Sequence, residues 1–180
     1  MNRRQFAALL AVTAAAPLAV CAGQASAHDF VFDDIDGAGE LRLADFGGRP
    51  VLVVNTASRC GYTYQYDALQ ALYDRYRDRG LAVLGVPSDD FNQELATAAE
   101  VKDFCEANFA IDFPMTAITP VTGTAAHPFF RWAAETAGAP RWNFHKYLVG
   151  PDGRLVAAFP TRTEPDAPEI RQAIEALLGG

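Results

Sequence analysis

The chain has 180 residues, 50% of them hydrophobic and 21% charged, with a net charge of −7. That profile fits one soluble globular domain plus a short extra segment, and it excludes a disordered or fibrous chain. The absence of a basic stripe argues against a nucleic-acid partner, and cysteines at 21, 60 and 105 form neither a disulfide framework nor a metal-ligand spacing.

Residues 1–27 read as a signal peptide. Arg3 and Arg4 give a positive start, an Ala- and Leu-rich run extends from Phe6 to Val20, and Ala25-Ser26-Ala27 is a small-x-small cleavage site. Asn2-Arg3-Arg4-Gln5-Phe6 is similar to a twin-arginine export motif, a route that carries folded proteins. Leu18-Ala19-Val20-Cys21 is similar to a lipoprotein box, although Val20 is bulky for the position before a modified Cys. The expectation is a periplasmic or exported protein cut near Ala27, with an anchor at Cys21 ranked second. Cleavage there removes two arginines and no acid, taking the charge to about −9.

The remaining residues, 28–180, are expected to form one domain. Phe30, Phe32 and Ile35 alternate with polar residues before a turn at Asp36-Gly37, a short hairpin strand. Pro50 to Asn55 is an apolar run that predicts a buried central strand. Leu69, Leu72, Tyr73 and Tyr76 fall at helical spacing within 66–79, and Gly80 ends that helix. Leu81 to Val86 predicts a second buried strand, and the alternation implies a right-handed β–α–β crossover. Helices are predicted over Ala98–Phe109 and His127–Ala137. Strands at 147–149 and 155–159 flank the turn Gly150-Pro151-Asp152-Gly153, and Pro168–Leu178 closes the chain as an amphipathic helix. A parallel βαβ followed by an antiparallel hairpin and a helix is an α/β, thioredoxin-like order, with a central mixed sheet flanked by helices.

Cys60 lies between the first buried strand and the helix after it, at the carboxyl end of a strand, where sites form in α/β sheets. Backbone N–H groups at a helix start favour the thiolate, which is the nucleophile. A buried, inert Cys is the competing reading. Thr63 stands where a disulfide exchanger needs its second Cys, so Cys60-Gly61-Tyr62-Thr63 argues against dithiol exchange.

Asn55-Thr56-Ala57-Ser58-Arg59-Cys60-Gly61-Tyr62-Thr63 resembles the first signature of the glutathione peroxidase family. Leu84 to Glu94 resembles the second, and Trp142-Asn143-Phe144-His145-Lys146-Tyr147-Leu148-Val149 the third. Phe113-Pro114-Met115 also falls where the family has a matching segment. The resemblance spans roughly residues 29–178 and implies a catalytic tetrad: Cys60 as the thiol that attacks the peroxide, with Gln93, Trp142 and Asn143 as its hydrogen-bonding partners. Amide and indole N–H groups donate without titrating, so they suit a sulfur anion and the charge that builds on a leaving oxygen. The product is a sulfenic acid that a thiol reduces, with no metal or organic cofactor required. Phe91-Asn92-Gln93 is one residue shorter than the common family form, and Asn92 replaces a usual glycine; Asn tolerates the left-handed conformation such a turn needs.

Two reductive routes stay open. Cys105 is the candidate resolving thiol for an internal disulfide reduced by a thioredoxin-like protein. It sits one position before the family's resolving Cys and within the apolar pattern of Val101 and Phe104, which fits a packed core thiol as well. Otherwise glutathione or another external thiol attacks Cys60 directly. Arg59 and Arg141 are the basic residues nearest the motifs. The segment between Phe113 and His127 lacks the long interface loop of tetrameric relatives, so a monomer is expected. The alternatives are an exported thioredoxin-like thiol sensor and a peroxiredoxin-like enzyme; against the latter, no Pro precedes Cys60 suitably.

Overall fold

A computed structural model describes residues 25–179. Cys21 and most of the predicted signal peptide lie outside the described residues. The chain forms β1 (Val31–Asp33), β2 (Glu40–Arg42), β3 (Val51–Thr56), α1 (Gln65–Tyr76), β4 (Ala82–Pro87), α2 (Ala98–Phe109), α3 (Pro128–Ala137), β5 (Lys146–Val149), β6 (Leu155–Phe159) and α4 (Pro168–Leu177).

The main sheet has the order β4-β3-β5-β6, with β3 parallel to β4 and antiparallel to β5, and β5 antiparallel to β6. It is mixed, as the sequence order implies. All six residues of β3 are buried, so its side chains alternate between two cores. Leu52 and Val54 join α1, α2 and α4 through Leu69, Val101 and Ile170. Val51 and Val53 join α3 and the β1–β2 hairpin through Phe129, Phe130 and Phe32. Helices therefore cover both faces.

Local chemistry sets the boundaries. Thr97 and Glu100 form a reciprocal capping box that starts α2 at the predicted residue. The helix predicted over 66–79 begins at Gln65, and its last turn tightens to a 3-10 turn over Arg77–Arg79 before Gly80, whose φ of 110° only glycine adopts readily. Gly85 carries no Cβ, which lets Phe113 and Met115 pass against β4; Gly85 N–H donates to the Pro114 carbonyl and its own carbonyl accepts from Thr116 N–H.

The residues around Ala27 belong to the folded domain. Ala27 is fully buried, its N–H donates to the Gly153 carbonyl at 2.8 Å, and Trp132 Nε1 donates to the Ala25 carbonyl at 3.0 Å. Ser26 and Asp29 cap the short 3-10 turn Ala27–Asp29 from both sides. Gly153, at φ 76°, closes the predicted β5–β6 turn, and a Cβ there would fall on Ser26 Oγ.

Candidate active site

Cys60 lies beyond the end of β3 in a tight turn, 7% exposed. The sequence placed it at a helix start; α1 begins five residues later, because Thr63 makes a turn first. Cys60 N–H donates to Thr63 Oγ1 at 3.0 Å and Thr63 N–H donates to the Cys60 carbonyl at 3.0 Å. The Thr63 hydroxyl lies 2.9 Å from the Ala57 carbonyl and 2.7 Å from that of Cys60. The amide aimed at sulfur is that of Tyr62, with its nitrogen 3.4 Å from Sγ. Thr63 is thus the lock of the turn as well as the residue that excludes a second thiol. Arg59, beside Cys60, is exposed.

Gln93 is delivered to this turn by the loop after β4. Asn92 adopts φ 55°, the left-handed conformation expected of it. The Gln93 carbonyl then accepts from Arg59 N–H at 2.9 Å, and Glu94 Oε1 accepts from Ser58 N–H at 3.0 Å. Glu94 is buried, and burial raises its carboxyl above the usual range. The residues before Cys60 are therefore pinned to the residues carrying Gln93.

Asn143 comes from the segment before β5. It is fully buried, and its Nδ2 donates to Gln93 Oε1 at 3.1 Å. That bond occupies the Gln93 oxygen and leaves its NH2 group as the free donor. Trp142 is 39% exposed and packs on Phe91 with ring centroids 5.2 Å apart. Gln93 and Asn143 thus bond to each other, and Gln93 also meets the Cys60 turn through its backbone. Trp142 stands at the rim, and among the described residues Cys60 Sγ accepts from Tyr62 alone.

Asn55 organises the Trp142–His145 segment, a role the sequence reading did not assign. Its Nδ2 donates to the Trp142 carbonyl at 3.2 Å and its Oδ1 accepts from His145 N–H at 3.1 Å. Its carbonyl accepts from Phe144 N–H at 2.6 Å, which holds Phe144 at φ 61°. The available signal was a polar side chain ending an otherwise apolar strand. His145 packs beside Tyr147 with its Nε2 unpartnered; burial, and then the charge of Lys146, push it down to about 4.

An open cleft of about 710 Å³ passes Tyr62 and Trp142 and is bounded by Arg141, Pro160, Thr161 and Arg162. Of the two basic residues singled out from sequence, Arg141 lines it and Arg59 does not. Cys105 is a free thiol on α2, fully buried, and burial pushes it up to about 11. Among the described residues, no group of three or more His, Cys, Asp or Glu is placed to hold a metal.

A mixed four-stranded sheet with helices on both faces, bearing one turn cysteine and no second cysteine at Thr63, defines a thioredoxin-like protein of the single-thiol type. The family model for glutathione peroxidase matches residues 27–134, a span that contains Cys60 and Gln93. A glutathione peroxidase of Lactococcus lactis is 38% identical over 157 residues, covering 84% of this chain and 98% of that protein. The hydroperoxy fatty acid reductase gpx1 of Synechocystis is 40% identical over 165 residues, covering 84% and 95%. The crystal structure of T. cruzi GPX1 superposes with a TM-score of 0.70 at 31% identity, covering 87% of this chain and 98% of that one. This chain belongs to the glutathione peroxidase family. A thiol:disulfide interchange protein of Chlorobium tepidum, 22% identical with a TM-score of 0.62, shares the fold.

Proposed function

We propose that the protein is a thiol-dependent peroxidase that reduces hydrogen peroxide and organic hydroperoxides at Cys60. The observation that carries this reading is the convergence of Gln93 and Asn143 on the Cys60 turn, through the Arg59–Gln93 and Asn143–Gln93 hydrogen bonds. The Cys60 thiolate attacks the terminal peroxide oxygen, the O–O bond breaks, and the leaving alkoxide takes a proton to become an alcohol, or water from hydrogen peroxide. Cys60 is left as a sulfenic acid. The free Gln93 amide and the Trp142 indole are the donors assigned to the oxygens as charge builds on them. The roles of Cys60, Gln93 and Asn143 rest on this geometry together with the motif resemblance, and that of Trp142 on the resemblance.

The reductant in this reading is an external thiol, glutathione or a thioredoxin-like protein. It condenses with the sulfenic acid to give a mixed disulfide and water, and a second thiol releases Cys60. Burial of Cys105 and its raised pKa support this choice, because a protonated core thiol is a poor nucleophile. The reading also takes the protein as an exported monomer. Arg3, Arg4 and the apolar run after them support export, and the short segment between Phe113 and His127 supports the monomer.

Cys60→Ser is expected to abolish peroxide consumption in a thiol-coupled assay, and wild-type turnover in that variant overturns the reading. Mass spectrometry after one equivalent of peroxide separates the reductive routes. A sulfenic acid on Cys60 with Cys105 free supports the external thiol, and a Cys60–Cys105 disulfide refutes it.

A further inference from the structure

Lys146 is a buried titratable group that the chemistry above does not use. It lies on β5, opposite Val54 of β3 and Phe159 of β6, and is 0% exposed. Its Nζ donates to Gln65 Oε1 at 2.6 Å, to the Thr163 carbonyl at 2.6 Å and towards the Thr161 carbonyl at 3.4 Å. An ammonium has three donors, so three oxygens about one nitrogen match the charged form. Among the described residues no carboxylate lies within ion-pair distance of it; the nearby Glu164 accepts from the Tyr64 hydroxyl at 2.8 Å. Burial pushes the Lys146 amine down to about 7, so holding a charge without a counter-charge is unfavourable here, and an apolar side chain of similar volume is the usual stabilising alternative. Stability therefore does not account for a lysine at this position.

Its partners give another account. Gln65 is the first residue of α1, and its N–H donates to the Tyr62 carbonyl in the Cys60 turn at 2.9 Å. Gln65 Nε2 also donates to the Thr161 carbonyl at 2.8 Å. Thr161 Oγ1 in turn donates to the carbonyl of Asn143 at 2.8 Å. The Lys146 amine thus joins, through Gln65, a chain of bonds to the Cys60 turn on one side and, by way of Thr161, to Asn143 on the other.

We infer that Lys146 is a positioning residue of the peroxidase site: through Gln65 and Thr161 it fixes Asn143 relative to the turn that carries Cys60. The inference rests on the peroxidase reading. Its test compares Lys146→Met, Thr161→Val and Thr161→Ser with the wild type. Stopped-flow oxidation of Cys60 by hydrogen peroxide reads the aim of the amide donors, and alkylation of Cys60 by iodoacetamide reads the sulfur itself.

Lys146→Met and Thr161→Val are expected to oxidise roughly tenfold more slowly, since small misplacements carry such penalties, while alkylation stays within about twofold and Thr161→Ser oxidises as the wild type does. A wild-type oxidation rate in either Lys146→Met or Thr161→Val overturns the inference, as does an equal fall in alkylation and oxidation. A Thr161→Ser rate as low as that of Thr161→Val also overturns it. If Lys146→Met does not fold, the Val and Ser variants decide alone. Cys60→Ser, run alongside, fails independently: turnover in that variant removes the peroxidase reading itself.

Discussion

Asn55→Leu keeps the same branched arrangement of heavy atoms and removes the two side-chain bonds that hold the Trp142–His145 segment. The Trp142 carbonyl and the His145 N–H then lose the partners that the fully buried Asn55 supplies, in a part-buried setting. An orphaned buried polar group costs about 1–3 kcal/mol. Two of them, part-buried and offset by the easier burial of leucine, give a net loss of roughly 2–4 kcal/mol. With a urea slope of about 2 kcal/mol per molar, the unfolding midpoint falls by about 1–2 M. The main-chain bonds of Asn55 to Phe144 and His145 survive, so the segment stays attached while the aim of Asn143 loosens. Peroxide oxidation of Cys60 under native conditions is therefore expected to slow by at least about tenfold. Urea denaturation and stopped-flow oxidation measure the two effects. A midpoint unchanged within about 0.3 M together with a wild-type rate refutes the claim that Asn55 organises this segment.

Two further outcomes follow from groups already placed. His145 is held neutral, its pKa pushed to about 4 by burial first and Lys146 second. The folded form then binds fewer protons than the unfolded chain between about pH 6.5 and 4, so stability present above 6.5 is lost as pH falls through 4, by roughly 3 kcal/mol. Urea midpoints measured across that range should fall, and an equal fall in His145→Asn would assign the acid loss elsewhere. A chain starting at His28 lacks the buried Ala27, its bond to Gly153 and the Ser26 cap. Compared with a chain starting at Ala25, its thermal midpoint should drop by about 3–8 °C, and equal midpoints would show that these contacts contribute nothing.

The elements were legible where local chemistry alone decides them. α2 and β6 begin and end at the predicted residues, one set by its capping box and the other by the turn before it. α1 begins one residue from its predicted start; less legible was the turn between Cys60 and that helix, which a side-chain bond from Thr63 to the chain before it makes. Gln93, Trp142 and Asn143 were reached through motif resemblance and not through periodicity. Their supports were not legible at all: Asn55 acts across 87 residues on Trp142, and Lys146 across 81 on Gln65. No local pattern reports a bond of that span; apolar spacing puts Asn55 at the end of one strand and leaves Lys146 just outside another.

The folded edge formed by Ala25 to Asp29 bears on the order of events in the cell. A signal peptidase acting after Ala27 needs an extended, accessible chain at Ala25-Ser26-Ala27. In the folded domain the Ala27 N–H is bonded to Gly153 and the following peptide sits in a capped turn against the protein. If a leader is cut at this site, its removal and completion of the fold compete for the same three residues. Under that expectation a chain cut first folds without its edge, and a chain that folds first shields the bond that the cut would break.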